Sequence, residues 1–348
     1  MWKINNEENK KYLDDFDNKL IRPLFKEIIN YKKLKLSCGY LKYLENNNDT
    51  IYKNSNKLLV YISKRSIKKV RFSDLINSFI STNTLKDIED YYSLYLEQNR
   101  KINKKNYNVK EEKIDDDLKK IFIEFFYESF FNKDKIWSLI DSSKYKEGYS
   151  RSRFHENFKR ENNIYICPYC DMDTIINTSN KEVEHFLPKS KYPFLAMNAY
   201  NLISSCIACN KSIEGKGTTI YIPINSPYNK QIGEEVIYTN DIINKQITLQ
   251  GNDKKTINYL KTLNLIERYK SNTIFEIVQE KAESLYDLII EAGLNNDEID
   301  EKILRDYMIA KLRRTKTEVL SFAIIGTFSG LDLYREYIKN RKSKTEFL

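Results

Sequence analysis

The sequence predicts an α+β protein, with a small strand-bearing module set between two mostly helical regions. Three observations predict it. Apolar residues recur at helical spacing on both sides of the centre. The centre itself, from about residue 160 to 255, holds five of the six prolines and four of the nine glycines. It also holds four of the five cysteines, as two Cys-x-x-Cys pairs, Cys167/Cys170 and Cys206/Cys209. The chain therefore divides into a helical region over 1–160, a module over 161–235, and a hairpin with further helices over 236–348.

In the first region, "IDDDLKKIFIEFFYESFF" opens on aspartates, which favour a helix N-terminus. It then sets Leu118, Ile121, Phe122, Phe125, Phe126 and Phe130 at helical spacing. "EQNRKINKKNYNVKEEK" is polar and aperiodic and reads as a loop between helices. In the centre, "TTIYIPI" reads as a short β-type run and "EEVIYTNDIINKQITLQG" as a hairpin. Beyond it, "NTIFEIVQEKAESLYDLII" puts Ile274, Ile277, Val278, Leu285, Leu288 and Ile289 on one helix face, which only Lys281 interrupts. The sequence contains no internal repeat.

A chain of 348 residues suggests two or three packing units, because single cores rarely grow beyond about 250–300 residues. With 41% hydrophobic and 31% charged residues, it has the material for a core and a solvated surface, and 26 tyrosines and 17 phenylalanines supply much of that core. No apolar run reaches the roughly 18 residues that a membrane-spanning helix needs. "MWKINNEENKK" has no apolar signal region, so no membrane association and a cytoplasmic location are expected. The formal net charge of +9 suits a polyanionic partner without proving one. Basic runs at 63–71, 311–316 and 339–344 are candidates to follow a nucleic-acid backbone, though a solvated helix face explains such runs equally well.

In a reducing compartment, paired Cys-x-x-Cys units point to metal or redox chemistry rather than disulfides. Two such units supply the four thiolates of a closed tetrahedral zinc site, so Cys167, Cys170, Cys206 and Cys209 are the expected structural zinc ligands. The 35 residues between Cys170 and Cys206 exceed the usual ribbon length, so the loop must house something. Cys38 is expected to be a core thiol and His155 a structural histidine.

The housed segment contains "EHFLPKS", then "YNLISSC", then "CNKSIEGKG" after the second pair. An acid–His pair with a proline turn, an asparagine before an apolar run, and an asparagine after the cysteines resemble the HNH endonuclease superfamily. The resemblance covers about residues 160 to 230. It implies a central ββα-metal module, in which two strands and a helix surround one divalent cation. More loosely, the arrangement is similar to the HNH component of Septu-type antiphage systems, where the nuclease works beside an ATPase. That similarity implies a partner ATPase encoded in the same defence operon.

Phosphodiester hydrolysis needs a base for water and a cation to offset charge on the phosphate. His185 is the expected base, since an unperturbed imidazole titrates near neutral pH. Asn201 is expected to hold the other imidazole nitrogen and fix the ring. Glu184 and Asn210 are expected oxygen ligands of the cation, and Glu214 a further one, four residues on along the same helix face. Such hard ligands favour Mg²⁺ or Mn²⁺. The reading is thus a hydrolase acting on DNA in antiphage defence. Two alternatives stay open: an RNA-cleaving HNH toxin, and an inactive, zinc-stabilised nucleic-acid-binding module.

Overall fold

Runs with apolar residues three and four apart fold as helices throughout the N-terminal half. The computed structural model describes residues 1–46, 53–176, 181–211, 215–292, 299–313 and 316–345. The chain forms two units. One, the helical unit, combines Asn5–Glu161 with Val183–Ser204; the other, the knuckle unit, combines Met1–Ile4, Asn162–Glu182 and Ser205–Leu348. The central stretch is shared between them: both cysteine pairs lie in the knuckle unit, and residues 183–204 in the helical unit.

The helical unit begins with α1 (Glu7–Phe16), α2 (Arg22–Leu34), α3 (Tyr40–Asn46) and α4 (Lys53–Ser63). A two-residue-per-strand hairpin, β1 (Ser66–Ile67) and β2 (Val70–Arg71), leads into α5 (Phe72–Thr82) and α6 (Leu85–Asn103). Then come α7 (Asp116–Lys120), α8 (Asp134–Ile140) and α9 (Arg151–Asn162). Their starts follow local chemistry. Glu7 and Glu8 lie in the first turn of α1, where the helix dipole favours negative charge. Thr84 and Asp87 form a reciprocal capping box at α6. The carboxylate of Asp115 accepts hydrogen bonds from the amides of Asp117 and Leu118 at the head of α7.

The helix α6 continues to Asn103, so the loop expected from the polar run starts only after it. Composition hid a packed face, because Gln98, Asn99 and Ile102 are buried there. The Asn99 amide donates to the carbonyl oxygens of Tyr95 and Phe194. Beyond α7 the helix widens into a π-helical segment, Ile121–Ser129, and closes with a 3₁₀ turn, Phe130–Asn132. All six apolar side chains expected on this face are buried. The wider turn also lets Phe125, Phe126 and Tyr127 face inward in succession. The rings form the core of the unit: Phe122 lies 5.2 Å from Phe126 and 4.9 Å from Phe194, Phe125 lies 5.1 Å from Phe72, and Phe16 lies 5.4 Å from Trp137. Cys38 is only partly buried, so it is not the core thiol expected.

The strands β3 (Lys181–His185) and β4 (Leu202–Cys206) form a two-stranded sheet, followed by the short helix α10 (Ile207–Asn210). The knuckle unit continues with the expected hairpin, β5 (Val236–Asp241) and β6 (Gln246–Gly251), antiparallel in a register from Val236↔Gly251 to Asp241↔Gln246. "TTIYIPI" forms no strand. Pro223 has no amide for a ladder, and the Tyr221 amide bonds to the Thr262 hydroxyl instead. Helices α11 (Lys254–Thr262), α12 (Leu265–Tyr269), α13 (Asn272–Glu291), α14 (Glu301–Arg313), α15 (Ser321–Phe328) and α16 (Leu331–Thr345) complete the unit. No helix among the described residues is long and apolar enough to cross a membrane.

The buried face of α13 is Phe275, Val278, Ala282, Leu285, Tyr286 and Ile289. It is rotated from the expected stripe, and Leu288 is 44% exposed. The substitution Phe126→Ala should therefore cost about 3–5 kcal/mol. Leu288→Ala should stay within about 0.5 kcal/mol of wild type. Urea unfolding followed by circular dichroism checks both, and equal costs would mean that these burial patterns are wrong.

Candidate active site and metal centre

The four cysteines of the knuckle unit converge. Their sulfur atoms all lie within 4.8 Å of one another and are buried. Cys167 and Cys209 are 3.9 Å apart at sulfur, and Cys170 and Cys206 are 3.8 Å apart. A metal–sulfur bond of about 2.3 Å in a tetrahedron gives edges of about 3.8 Å, so the set fits a metal such as zinc. Among the described residues, this is the group of three or more His, Cys, Asp or Glu side chains that comes together in this way.

Local backbone shapes the cluster. Asp171 adopts a left-handed conformation (φ 64°) just past the first pair, and its amide donates to the Cys167 carbonyl. The amides of Cys206 and Met172 point at the sulfurs of Cys167 and Cys170. Gly215 closes the second turn, where a Cβ would sit 2.4 Å from the carbonyl oxygens of Ala208 and Cys209. The Arg268 guanidinium donates to the Cys209 sulfur at 3.2 Å and lies 3.6 Å from Asp173. Burial raises the Cys170 thiol, but hydrogen bonds from the other three thiols and the Arg268 charge hold it well below the ordinary value. No local pattern in the sequence singles out Arg268, because it reaches the cluster from α12.

In the same unit, α10 ends at Asn210, and Lys211 is already extended. The helix expected to carry both Asn210 and Glu214 therefore stops short, and Glu214 lies outside the described residues. The Asn210 amide nitrogen donates to the Glu182 carboxylate. Glu182 belongs to none of the sequence motifs. Strand alternation is the signal that could have found it, since Glu182 and Glu184 are two apart on β3 and share a face.

In the helical unit, β3 ends at His185, which is 3% exposed, next to Glu184 at 8%. The His185 Nε2 lies 3.1 Å from the Ala196 carbonyl oxygen. A carbonyl only accepts, so Nε2 is the donating nitrogen. The Tyr127 ring meets the imidazole edge to face with centroids 4.2 Å apart, and its hydroxyl donates to the Val183 carbonyl at 2.6 Å. Burial and, more weakly, the Glu184 charge raise the Tyr127 hydroxyl above its ordinary value. That hydroxyl stays a proton donor.

Asn201 is fully buried but does not hold the imidazole as expected. Its oxygen accepts from the Leu187 amide at 2.7 Å, and its nitrogen donates to the carbonyls of Leu187 and Leu195, both at 3.1 Å. It thus clamps the loop that supplies the Ala196 carbonyl, and bears on His185 through that loop. The expected turn at Pro188 is present, with its carbonyl accepting from the amides of Lys191 and Tyr192. His155 is buried as expected, with Nδ1 2.7 Å from the Ser204 hydroxyl.

Over 44 residues, 13% of its length, the chain is 48% identical to the Septu protein PtuB of Bacillus thuringiensis. The aligned stretch spans 17% of that protein. No family model matches the chain, and no solved structure does.

The thiol cluster makes a direct prediction. Purified protein should carry one zinc per chain by elemental analysis. Cys167→Ser should lose the metal and destabilise the knuckle unit by several kcal/mol, since such sites contribute folding energy outright. Metal-free protein with wild-type stability would refute it.

Proposed function

We propose that this chain is a metal-dependent endonuclease of the HNH type that hydrolyses the phosphodiester bonds of DNA in antiphage defence. The observation that carries the proposal is His185: a buried imidazole with a tautomer set by the Ala196 carbonyl, beside a buried carboxylate, Glu184. The short identity to a Septu protein adds the defence context.

The roles follow from the chemistry. Nδ1 of His185 is assigned to take the proton of the attacking water. Tyr127 and the Ala196 carbonyl keep the ring from turning. Asn201 holds the loop that makes this possible. Glu184 is assigned as an oxygen ligand of Mg²⁺ or Mn²⁺, an ion that supplies charge neutralisation at the phosphate when bound. Asn210 lies in the knuckle unit, where its amide nitrogen is engaged by the Glu182 carboxylate.

The test is incubation with plasmid DNA, and separately with total RNA, in Mg²⁺ or Mn²⁺. DNA cleavage is expected. His185→Ala should lower it by about 10²–10⁴-fold while leaving DNA binding intact. Glu184→Ala should shift the Mn²⁺ requirement upward instead. Cleavage of RNA alone would favour the toxin reading, and binding without cleavage would favour an inactive module.

We further propose a stable complex with a partner ATPase of the same defence operon, through which the nuclease is restrained or directed. Co-expression followed by native mass measurement should show the complex. Elution of this chain alone, with full cleavage and no neighbour, would remove the partner.

A further inference from the structure

A phosphodiester approaching His185 brings negative charge, and the helical unit places two cations beside that histidine. Arg151 opens α9, and Lys189 lies in the turn after β3. Both reach the same carboxylate: Arg151 Nη2 donates to one oxygen of Glu128 at 3.1 Å, and the Lys189 ammonium pairs with the other. Both also lie over the Tyr127 ring, with the guanidinium carbon 4.6 Å and the ammonium nitrogen 4.5 Å from its centroid. That is the ring packed against His185. Neither cation can therefore lie further from the imidazole centre than two short steps, 4.2 Å plus 4.6 Å for Arg151 and 4.2 Å plus 4.5 Å for Lys189.

The pair is braced without being used up. Both side-chain hydrogen bonds of Arg151, to Glu128 and to the Tyr127 carbonyl, leave through Nη2. Three of the five guanidinium donors, on Nε and Nη1, are not needed for them. Lys189 spends one of its three donors on Glu128. The two side chains are 31% and 32% exposed, so a ligand can reach them. Within the clamp Glu128 cancels one of the two charges, and Glu184 beside His185 is a further negative charge that the assigned cation would offset. Contacts with two rings and two hydrogen bonds through Nη2 hold the guanidinium in place, so its fork is organised before an oxyanion arrives.

We propose that Arg151 and Lys189 form a phosphate clamp that holds the DNA backbone beside His185, with Glu128 and Tyr127 as its frame. The proposal rests on the nuclease reading of His185. It adds substrate-binding residues from two parts of the chain that no sequence motif connects.

The test uses the full chain and a fluorescein-labelled DNA duplex. Affinity is measured by anisotropy in EDTA over a salt series, and cleavage in Mn²⁺. Lys189→Gln and Arg151→Gln should each weaken binding by about three- to tenfold and lower the slope of log affinity against log salt by about one. The loss should fall mainly on KM, whereas His185→Ala should lose kcat and keep the full salt slope. Lys189→Arg should restore binding. Lys86→Gln, at an exposed lysine of α6 paired with Asp90, should leave the slope unchanged. Arg151 packs on two rings, so Lys189→Gln, a change in a surface turn, keeps the test valid if Arg151→Gln misfolds. Wild-type affinity and slope in Lys189→Gln, with cleavage intact, would overturn the clamp and leave the nuclease standing. If wild type neither binds nor cleaves DNA, the nuclease reading fails and the clamp falls with it.

Discussion

The four-thiol cluster is the constraint on which the central third of the chain depends. The chain leaves the cluster at Cys170 and returns to it at Cys206, so Glu184, His185 and Asn201 all lie on a closed excursion. A metal held by the four thiols would tie two points this far apart, and its binding energy would count as folding energy. The rest of the knuckle unit is arranged to support it. The tyrosine hydroxyls of Tyr259 and Tyr269 donate to the carbonyls of Tyr169 and Cys170. The first cysteine turn therefore leaves neither of those backbone acceptors unsatisfied, which matters because the turn is fully buried.

What could be read from the sequence was local. The cysteine spacing named four residues that the structure brings together. Aspartate followed by apolar residues at helical spacing located the buried face from Leu118 to Phe130, and turn residues between two alternating runs located the hairpin of β5 and β6. Failures came where tertiary contacts outweighed local composition. The tail of α6 looks like a loop because Gln98 and Asn99 are polar, yet both are buried, and Asn99 hydrogen-bonds to Phe194 far along the chain. Position alone makes Asn201 a partner of the imidazole; its amide meets three backbone groups of one loop instead. A side chain with one acceptor and two donors has many possible partners, and spacing does not choose among them.

The surroundings of His185 show the same limit more sharply. Tyr127 reaches it because the helix after Lys120 is π-helical, and a regular α-helical count from Leu118 gives no reason to aim that ring at β3. Arg151 and Lys189 meet over Tyr127 from α9 and from the Pro188 turn, and Glu128 receives both. None of these residues lies in a recognisable pattern with the others. They are linked by the packing of the aromatic core, in which Phe194 from the His185 loop inserts against Phe122 and Tyr95.

Charge decides how such a cluster can be buried at all. Four thiolates around a divalent ion carry two net negative charges, and an uncompensated charge in a buried, low-dielectric site is costly. Arg268 answers part of that cost. Its side chain is only 13% exposed, yet its guanidinium stays firmly protonated: burial opposes the charge, but the nearby sulfurs of Cys209, Cys170 and Cys206 more than offset it. Hydrogen-bonding to the Cys209 sulfur, it places positive charge beside the cluster and helps to hold the Cys170 thiol low, while burial and the neighbouring thiols keep the Cys209 thiol itself above its ordinary value. Asp173, on the other side of the same guanidinium, has its carboxyl raised by burial and by the Cys170 charge. The arginine thus stands between two groups of like sign, and its position explains why a basic residue on α12 is buried against the thiol cluster instead of being solvated.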